Sequence, residues 1–225
     1  MAEGGSGAVT TRDWHAWHAP YDEAGSPLAR RLAIVQRRIR EAVDAAPPGP
    51  LRAVSVCAGQ GRDLIGALRD HPRRHDVVAR LVELDERNVE IARAAARAAG
   101  LDGVQIVAGD AGLSDAYAGA VPADLVLVCG VFGNITDADI GHVIQRLPEL
   151  CAPGATALWT RHRLPPDLTP AIREWYARAG FDEIGFDAPE GTVISVGANR
   201  LRGDPRPLEL GVRLFRFAGF DMLET

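Results

Sequence analysis

The chain has 225 residues, 47% of them hydrophobic, which suits one α/β domain and is too apolar for a disordered protein. Its formal charge is −5, and it contains arginine but no lysine. That balance argues against nucleic acid as a partner, because phosphate-backbone binding selects clustered positive charge. The longest apolar run, Ala123 to Phe132, is broken by Asp124 and Gly130 and falls short of the ~20 residues of a membrane span. The first eleven residues are small and polar, read as a flexible tail, with no apolar signal-peptide core. Cys57, Cys129 and Cys151 are far apart and lack CxxC spacing, which argues against disulfides and zinc. A cytoplasmic protein with no membrane and no metal is expected.

In chain order, the first notable stretch is Trp14-His15-Ala16-Trp17-His18-Ala19-Pro20-Tyr21, in a chain that is only 6% aromatic. Such density outside a periodic element suggests a lid over a ligand, with His15 or His18 available as a base near neutral pH. A hydrophobic staple anchoring the N-terminus is an equal alternative. His-x-x-His lacks a convincing third metal ligand.

Ser26 and Pro27 mark the start of a helix over Ser26 to Ala46, with Leu28, Leu32, Val35, Ile39 and Val43 on one face and Pro47, Pro48, Gly49 and Pro50 ending it. Strand and helix patterns then alternate. Strands are expected at Ala53–Cys57, Val77–Leu84, Val104–Val107, Asp124–Cys129 and Ala155–Trp159. Helices are expected at Asp63–Leu68, at Glu86–Ala99 with Gly100 at C′, at Asp137–Leu150 behind a Thr136/Asp139 capping box, and from Thr169 and Pro170 to Gly180. Phe181–Asp187 and Thr192–Asn199 are strand-like and joined by only four residues. A parallel crossover needs a dozen or more, so these two must form an antiparallel hairpin. Pro207 to Phe217 alternates like a strand at Val212, Leu214, Phe215 and Phe217, with no evident partner.

Three features stand at successive strand ends, where the ligand crevice of an open α/β sheet lies. The first is the turn Cys57-Ala58-Gly59-Gln60-Gly61, whose glycines allow close backbone approach. Leu64 occupies the place of the third glycine of the dinucleotide fingerprint, so the turn suits a ligand without pyrophosphate better than NAD or FAD. The second is Glu83-Leu84-Asp85. Asp85 follows Gly61 by 24 positions, close to the ~20 expected of a ribose-binding acid, and doubles as a helix N-cap. Glu83 shares its phase and is the reserve candidate. The third is Gly109-Asp110-Ala111, where Asp110 can accept from an exocyclic amine and the Ala111 N–H can donate to a ring nitrogen.

In motif order and in the terminal hairpin, Leu51 to Arg200 resembles the class I S-adenosylmethionine-dependent methyltransferases. The resemblance implies a Rossmann-like doubly wound sheet of order 3-2-1-4-5-7-6 with strand 7 antiparallel. It also implies S-adenosyl-L-methionine as cofactor, held by Gly59 and Gly61 at the methionine end, by Asp85 at the ribose, and by Asp110 and Ala111 at adenine; Cys57, Ala58 and Glu83 are further cofactor-site candidates. Cys129 leaves strand four at the reacting edge. Two residues depart from the family pattern: Ser55 replaces the usual acid, and Cys57 replaces the first glycine.

On this basis residues 1–50 carry the tail, the aromatic lid segment and the first helix, an N-terminal cap on a methyltransferase domain at 51–225. A small-molecule methyl acceptor, an oxygen, nitrogen or carbon nucleophile, suits the compact chain. His18, His162 and Asn134 are the catalytic candidates, and Trp14, His15, Trp17, Tyr21 and Arg161 the substrate-facing ones. Rival functions are a non-methylating or non-catalytic protein that binds the same cofactor, and a nicotinamide-dependent reductase.

Overall fold

In the computed structural model, which describes residue 13 and residues 16–23 and 25–217, helix α1 (Pro27–Ala45) begins where its cap chemistry dictates. The Ser26 hydroxyl accepts from the Ala29 N–H at 3.0 Å, and Pro27 fills the first position. The same hydroxyl donates to the Pro20 carbonyl at 2.5 Å, tying α1 to a preceding 3-10 helix, Ala16–Asp22.

The chain then runs through β1 (Leu51–Val56), α2 (Leu64–Leu68), β2 (Val77–Glu83), α3 (Glu86–Ala98), β3 (Val104–Ala108), β4 (Ala123–Val128), α4 (Asp137–Arg146), β5 (Cys151–His162), α5 (Thr169–Arg178), β6 (Phe181–Asp187) and β7 (Ile194–Leu201). The seven strands form one sheet in the order β3-β2-β1-β4-β5-β7-β6. Strand β7 runs antiparallel to both neighbours, and the other described pairings are parallel. The Rossmann-like order and the terminal hairpin expected from the sequence are both present.

Strand pleating sends alternate residues to two cores. Val54, Val56, Val126 and Val128 face one layer with α4 and α5, while Ala53, Leu125, Leu127 and Leu158 face the other with α1, α2 and α3. Burial on both faces explains why β4 is almost wholly apolar. The stripe Val35, Ile39 and Val43 of α1 packs into the second core.

Most boundaries differ from the sequence expectation by one to three residues, and two differ by more. Helix α4 stops at Arg146 and gives way to a 3-10 turn, Leu147–Glu149, because Pro148 cannot continue an α-helical ladder. Strand β5 starts earlier, at Cys151, which pairs with Ala123 across a register shift. Gly154, at φ 72°, supplies the left-handed backbone inside this irregular stretch.

The Pro207–Phe217 stretch packs against the 110–115 loop. Leu214 N–H donates to Gly112 O at 2.8 Å, Ser114 N–H donates to Val212 O at 3.0 Å, and Leu214 and Phe215 are buried in the first core. Gly112 is required here, since a Cβ would lie 2.5 Å from the Phe215 carbonyl oxygen.

Trp159 anchors the β5–β7 half of the sheet. Its indole N–H donates to Asn199 Oδ1 at 2.8 Å, its ring stacks on Tyr176 at 5.8 Å, and its Nε1–Cζ2 edge lies against Gly197. A Cβ at Gly197 would stand 2.1 Å from the indole. Gly197→Ala should therefore cost at least about 2 kcal/mol and lower Tm by roughly 4–8 °C for a chain of this size. Thermal unfolding followed by circular dichroism checks this.

Candidate active site

Parallel strands deliver their carboxyl ends to one edge of the sheet, and the loops leaving β1, β2, β3 and β4 surround a cavity of about 450 Å³ there. Its floor is the turn after β1. Cys57, Gly59 and Gly61 all take left-handed backbone, at φ 53°, 55° and 69°. Cys57 is the one non-glycine with positive φ among the described residues, so the backbone keeps the glycine-type conformation although the side chain is present. Burial, with Glu83 and Asp110 nearby, pushes the Cys57 thiol well above its ordinary pKa.

Glu83 is the pivot of the site. One carboxylate oxygen accepts from the Gly59 N–H at 2.8 Å and the other from the Asp85 N–H at 2.9 Å, with the residue only 8% exposed. The end of β2 is thereby fastened to the glycine turn. Asp85 caps α3: its Oδ1 accepts from the Arg87 N–H at 2.9 Å, and its carboxylate also pairs with the Arg87 guanidinium at 2.7 Å. Both acids line the cavity. Asp110, beyond β3, accepts from the Gly112 N–H at 2.8 Å and pairs with Arg213 at 2.5 Å. The C-terminal segment thus reaches the site, and Phe217 lines it as well.

Sequence reasoning missed a second group of residues. Asp22 pairs with Arg62, whose Nε donates to Gln60 Oε1 at 2.8 Å, and Gln60 Nε2 donates to Asn88 Oδ1 at 3.3 Å. Asn88 is fully buried and lines the cavity, and among the described residues its Nδ2 has no partner. A buried unsatisfied donor at a cavity wall calls for a ligand acceptor or a water. At the opposite end, Arg31 donates to the Tyr21 hydroxyl at 2.6 Å and lies near Asp63 and Cys129. Burial raises the pKa of Asp63, and Arg31 offsets part of that rise. The available signals were a cation one turn before Val35 on the apolar stripe of α1, and a polar residue one turn before Ala92 on the buried stripe of α3.

The cavity brings together Tyr21, Cys57, Ala58, Gly59, Glu83, Asp85, Asp110, Ala111 and Cys129 from the sequence candidates. Gly61 shapes the turn from beneath, where a Cβ would meet Ile65 Cδ1 at 2.6 Å. Asn134 sits behind the wall and donates from Nδ2 to the Gly130 carbonyl at 2.7 Å. Arg161 donates to the Phe132 carbonyl, and neither it nor His162 is part of the cavity lining. Burial, reinforced by Arg161, lowers the His162 pKa, so its imidazole is neutral at pH 7. Trp14 and His15 lie outside the described residues, as do the side chains of Trp17 and His18. Among the described residues no cluster suited to a metal ion is found, and no helix is long and apolar enough to cross a membrane.

Residues 28–179 match a family model described as "Putative methyltransferase". The chain is similar to the 1,6-didemethyltoxoflavin-N1-methyltransferase of Burkholderia thailandensis, solved with 1,6-didemethyltoxoflavin and S-adenosylhomocysteine, at TM-score 0.64 and 17% identity over 84% of each chain. It is also similar to the magnesium protoporphyrin IX methyltransferase of Synechocystis PCC 6803, solved with S-adenosylmethionine, at TM-score 0.63 and 13% identity over 85% of this chain and 98% of that one. A third likeness, to an O-methyltransferase family protein from Burkholderia thailandensis, has TM-score 0.58 and 18% identity over 79% of this chain, which spans 60% of that protein's length. At these identities the likenesses establish the fold. No curated protein matches in sequence.

The two neighbouring acids should separate in a stability measurement. Glu83→Ala leaves the Gly59 and Asp85 N–H groups without their acceptor and should cost at least about 2 kcal/mol, against about 1 kcal/mol for loss of the Asp85 cap in Asp85→Ala. Urea unfolding of the two variants beside the parent measures the difference.

Proposed function

From the premise that this chain belongs to the methyltransferase family whose model spans residues 28–179, we propose that it is a cytoplasmic S-adenosylmethionine-dependent methyltransferase acting on a small-molecule oxygen, nitrogen or carbon nucleophile. The observation that carries this is one cavity lined by a left-handed glycine turn, by Glu83 and by Asp110, at the carboxyl ends of β1, β2 and β3. The residues fit the cofactor in three respects. The turn leaves its backbone open to close approach, the acids offer acceptors for hydroxyls and an amine, and the orphaned Asn88 Nδ2 supplies a donor. When bound, S-adenosylmethionine supplies an activated methyl group on a sulfonium.

Residue roles follow from what each side chain has left to offer. Glu83 accepts from the ribose hydroxyls in preference to Asp85, because each Glu83 oxygen spends one lone pair on a backbone N–H, whereas Asp85 is spent on its cap and on Arg87. Asp110 and Ala111 face the adenine, with Phe217 against it. Tyr21, Cys129 and Gly130 wall the reacting end, and Asn134 positions Gly130 by holding its carbonyl. Catalysis by this chain is then mainly alignment of the acceptor, with water excluded by the 3-10 helix. The N-terminal segment and α1 serve the same site as residues 51–217. A small acceptor is supported by the compact cavity and by the heteroaromatic substrate of the didemethyltoxoflavin enzyme. The free thiols of Cys57, Cys129 and Cys151 suit a reducing compartment.

Calorimetric titration of the full chain with S-adenosylmethionine and S-adenosylhomocysteine tests the proposal. Micromolar binding is expected, weakened about tenfold or more in Glu83→Gln and less in Asp85→Asn. Absence of binding to either ligand would sink it.

A further inference from the structure

The C-terminal segment lies outside residues 28–179, where the family likeness runs, yet it delivers a charged side chain to the Asp110 end of the cavity. Its backbone is clamped to the loop after β3. Leu214 N–H donates to Gly112 O at 2.8 Å, Val212 N–H to Ser114 Oγ at 3.0 Å and Gly211 N–H to Asp115 Oδ2 at 2.7 Å, while Arg213 and Leu113 form an antiparallel bridge. The register is therefore fixed at Arg213, whose Nη1 donates to Asp110 Oδ2 at 2.5 Å. Resting on the function proposed above, we propose that Arg213 is a positioning residue: by locking Asp110 it makes the site selective for a 6-amino purine over a 6-oxo purine.

The geometry of the Asp110 carboxylate carries the assignment. Oδ1 accepts from the Gly112 N–H at 2.8 Å and Oδ2 from Arg213, so the group cannot turn without breaking a bond. An ionised carboxylate held in this way is only an acceptor, with capacity remaining on each oxygen. Gly112 makes room for the arrangement, since a Cβ there would stand 3.1 Å from both Arg213 Nη1 and Asp110 Oδ1. Asp110 and the Ala111 N–H then present an acceptor beside a donor, the complement of the adenine amine and its ring N1. A 6-oxo base reverses both, with a carbonyl facing the carboxylate and an N1–H facing the Ala111 N–H. A site built around hydrogen bonds rejects the analogue that cannot make them. A carboxylate free to swing would reach the N1–H instead, and Arg213 prevents that turn. The side chains of Arg213 and Asp110 are 34% and 42% exposed, so their pair adds little to stability and its consequence is orientation.

The alternative is that Arg213 only fastens the C-terminal segment. Calorimetric titration with S-adenosylhomocysteine and its 6-oxo counterpart, S-inosylhomocysteine, separates the two roles. It is performed on the full chain, on Arg213→Met, which keeps an unbranched stem, on Arg213→Lys, and on Asp110→Asn with and without Arg213→Met. The parent should prefer the 6-amino ligand by about a hundredfold or more. In Arg213→Met that preference should fall about tenfold or more. Arg213→Lys should recover only part of it, since an ammonium lacks the planar fork. With Asp110→Asn in place, Arg213→Met should change the preference by less than about twofold, because its effect passes through the carboxylate. An unchanged preference in Arg213→Met, or equal losses for both ligands, overturns the positioning role and leaves the cofactor assignment standing. So does a loss confined to the 6-oxo ligand, which would make Arg213 a direct donor to it. Failure of the parent chain to bind either ligand overturns both readings.

Discussion

The site depends on one carboxylate. Glu83 ends β2 with each oxygen on a different backbone N–H, Gly59 from the turn after β1 and Asp85 from the start of α3. A parallel sheet aligns its strands but leaves the loops at their carboxyl ends to find their own arrangement. Here a single buried carboxylate joins two of those loops. A neutral side chain of the same reach would make one such bond well; a carboxylate makes two and keeps acceptor capacity on each oxygen. The same group therefore shapes the pocket and remains available to a ligand.

Arginine completes the enclosure. Arg62 ties the 3-10 helix to the glycine turn through Asp22, Arg87 ties Asp13 to the start of α3, and Arg213 ties the C-terminal segment to Asp110. Each pair is partly exposed and contributes modestly to stability. Their value is positional, because each joins a segment remote in sequence to one rim of the cavity. The absence of lysine from the chain fits this use, since a planar fork holds a carboxylate in a defined orientation and an ammonium does not.

The sheet was legible from residue patterns because its signals are local. Apolar runs buried on both faces, caps at Ser26, Asp85 and Thr136, and a connection too short for a crossover yield the whole strand order once the family resemblance is added. The sequence ranked Asp85 first and Glu83 in reserve, and period two puts both on the same face. The preference for Glu83 proposed above rests on the cap geometry of α3 and on the two N–H groups that Glu83 accepts. Cys57 departs from the family pattern in its side chain, yet its φ of 53° has the sign a glycine would have. The partner of Pro207–Phe217 lay about a hundred residues upstream, beyond any local pattern. Arg31 and Asn88 read as ordinary members of amphipathic helices, and only the cavity reveals them as wall residues.

The central claim is that this crevice holds the adenosyl cofactor with its ribose on Glu83. A crystal structure of the full chain with S-adenosylhomocysteine tests it most directly. The account predicts both ribose hydroxyls within hydrogen-bond distance of the Glu83 carboxylate, adenine beside Asp110 and Ala111, and the glycine turn unmoved. Ribose held by Asp85 with Glu83 turned away, or a ligand bound elsewhere on the molecule, would contradict it.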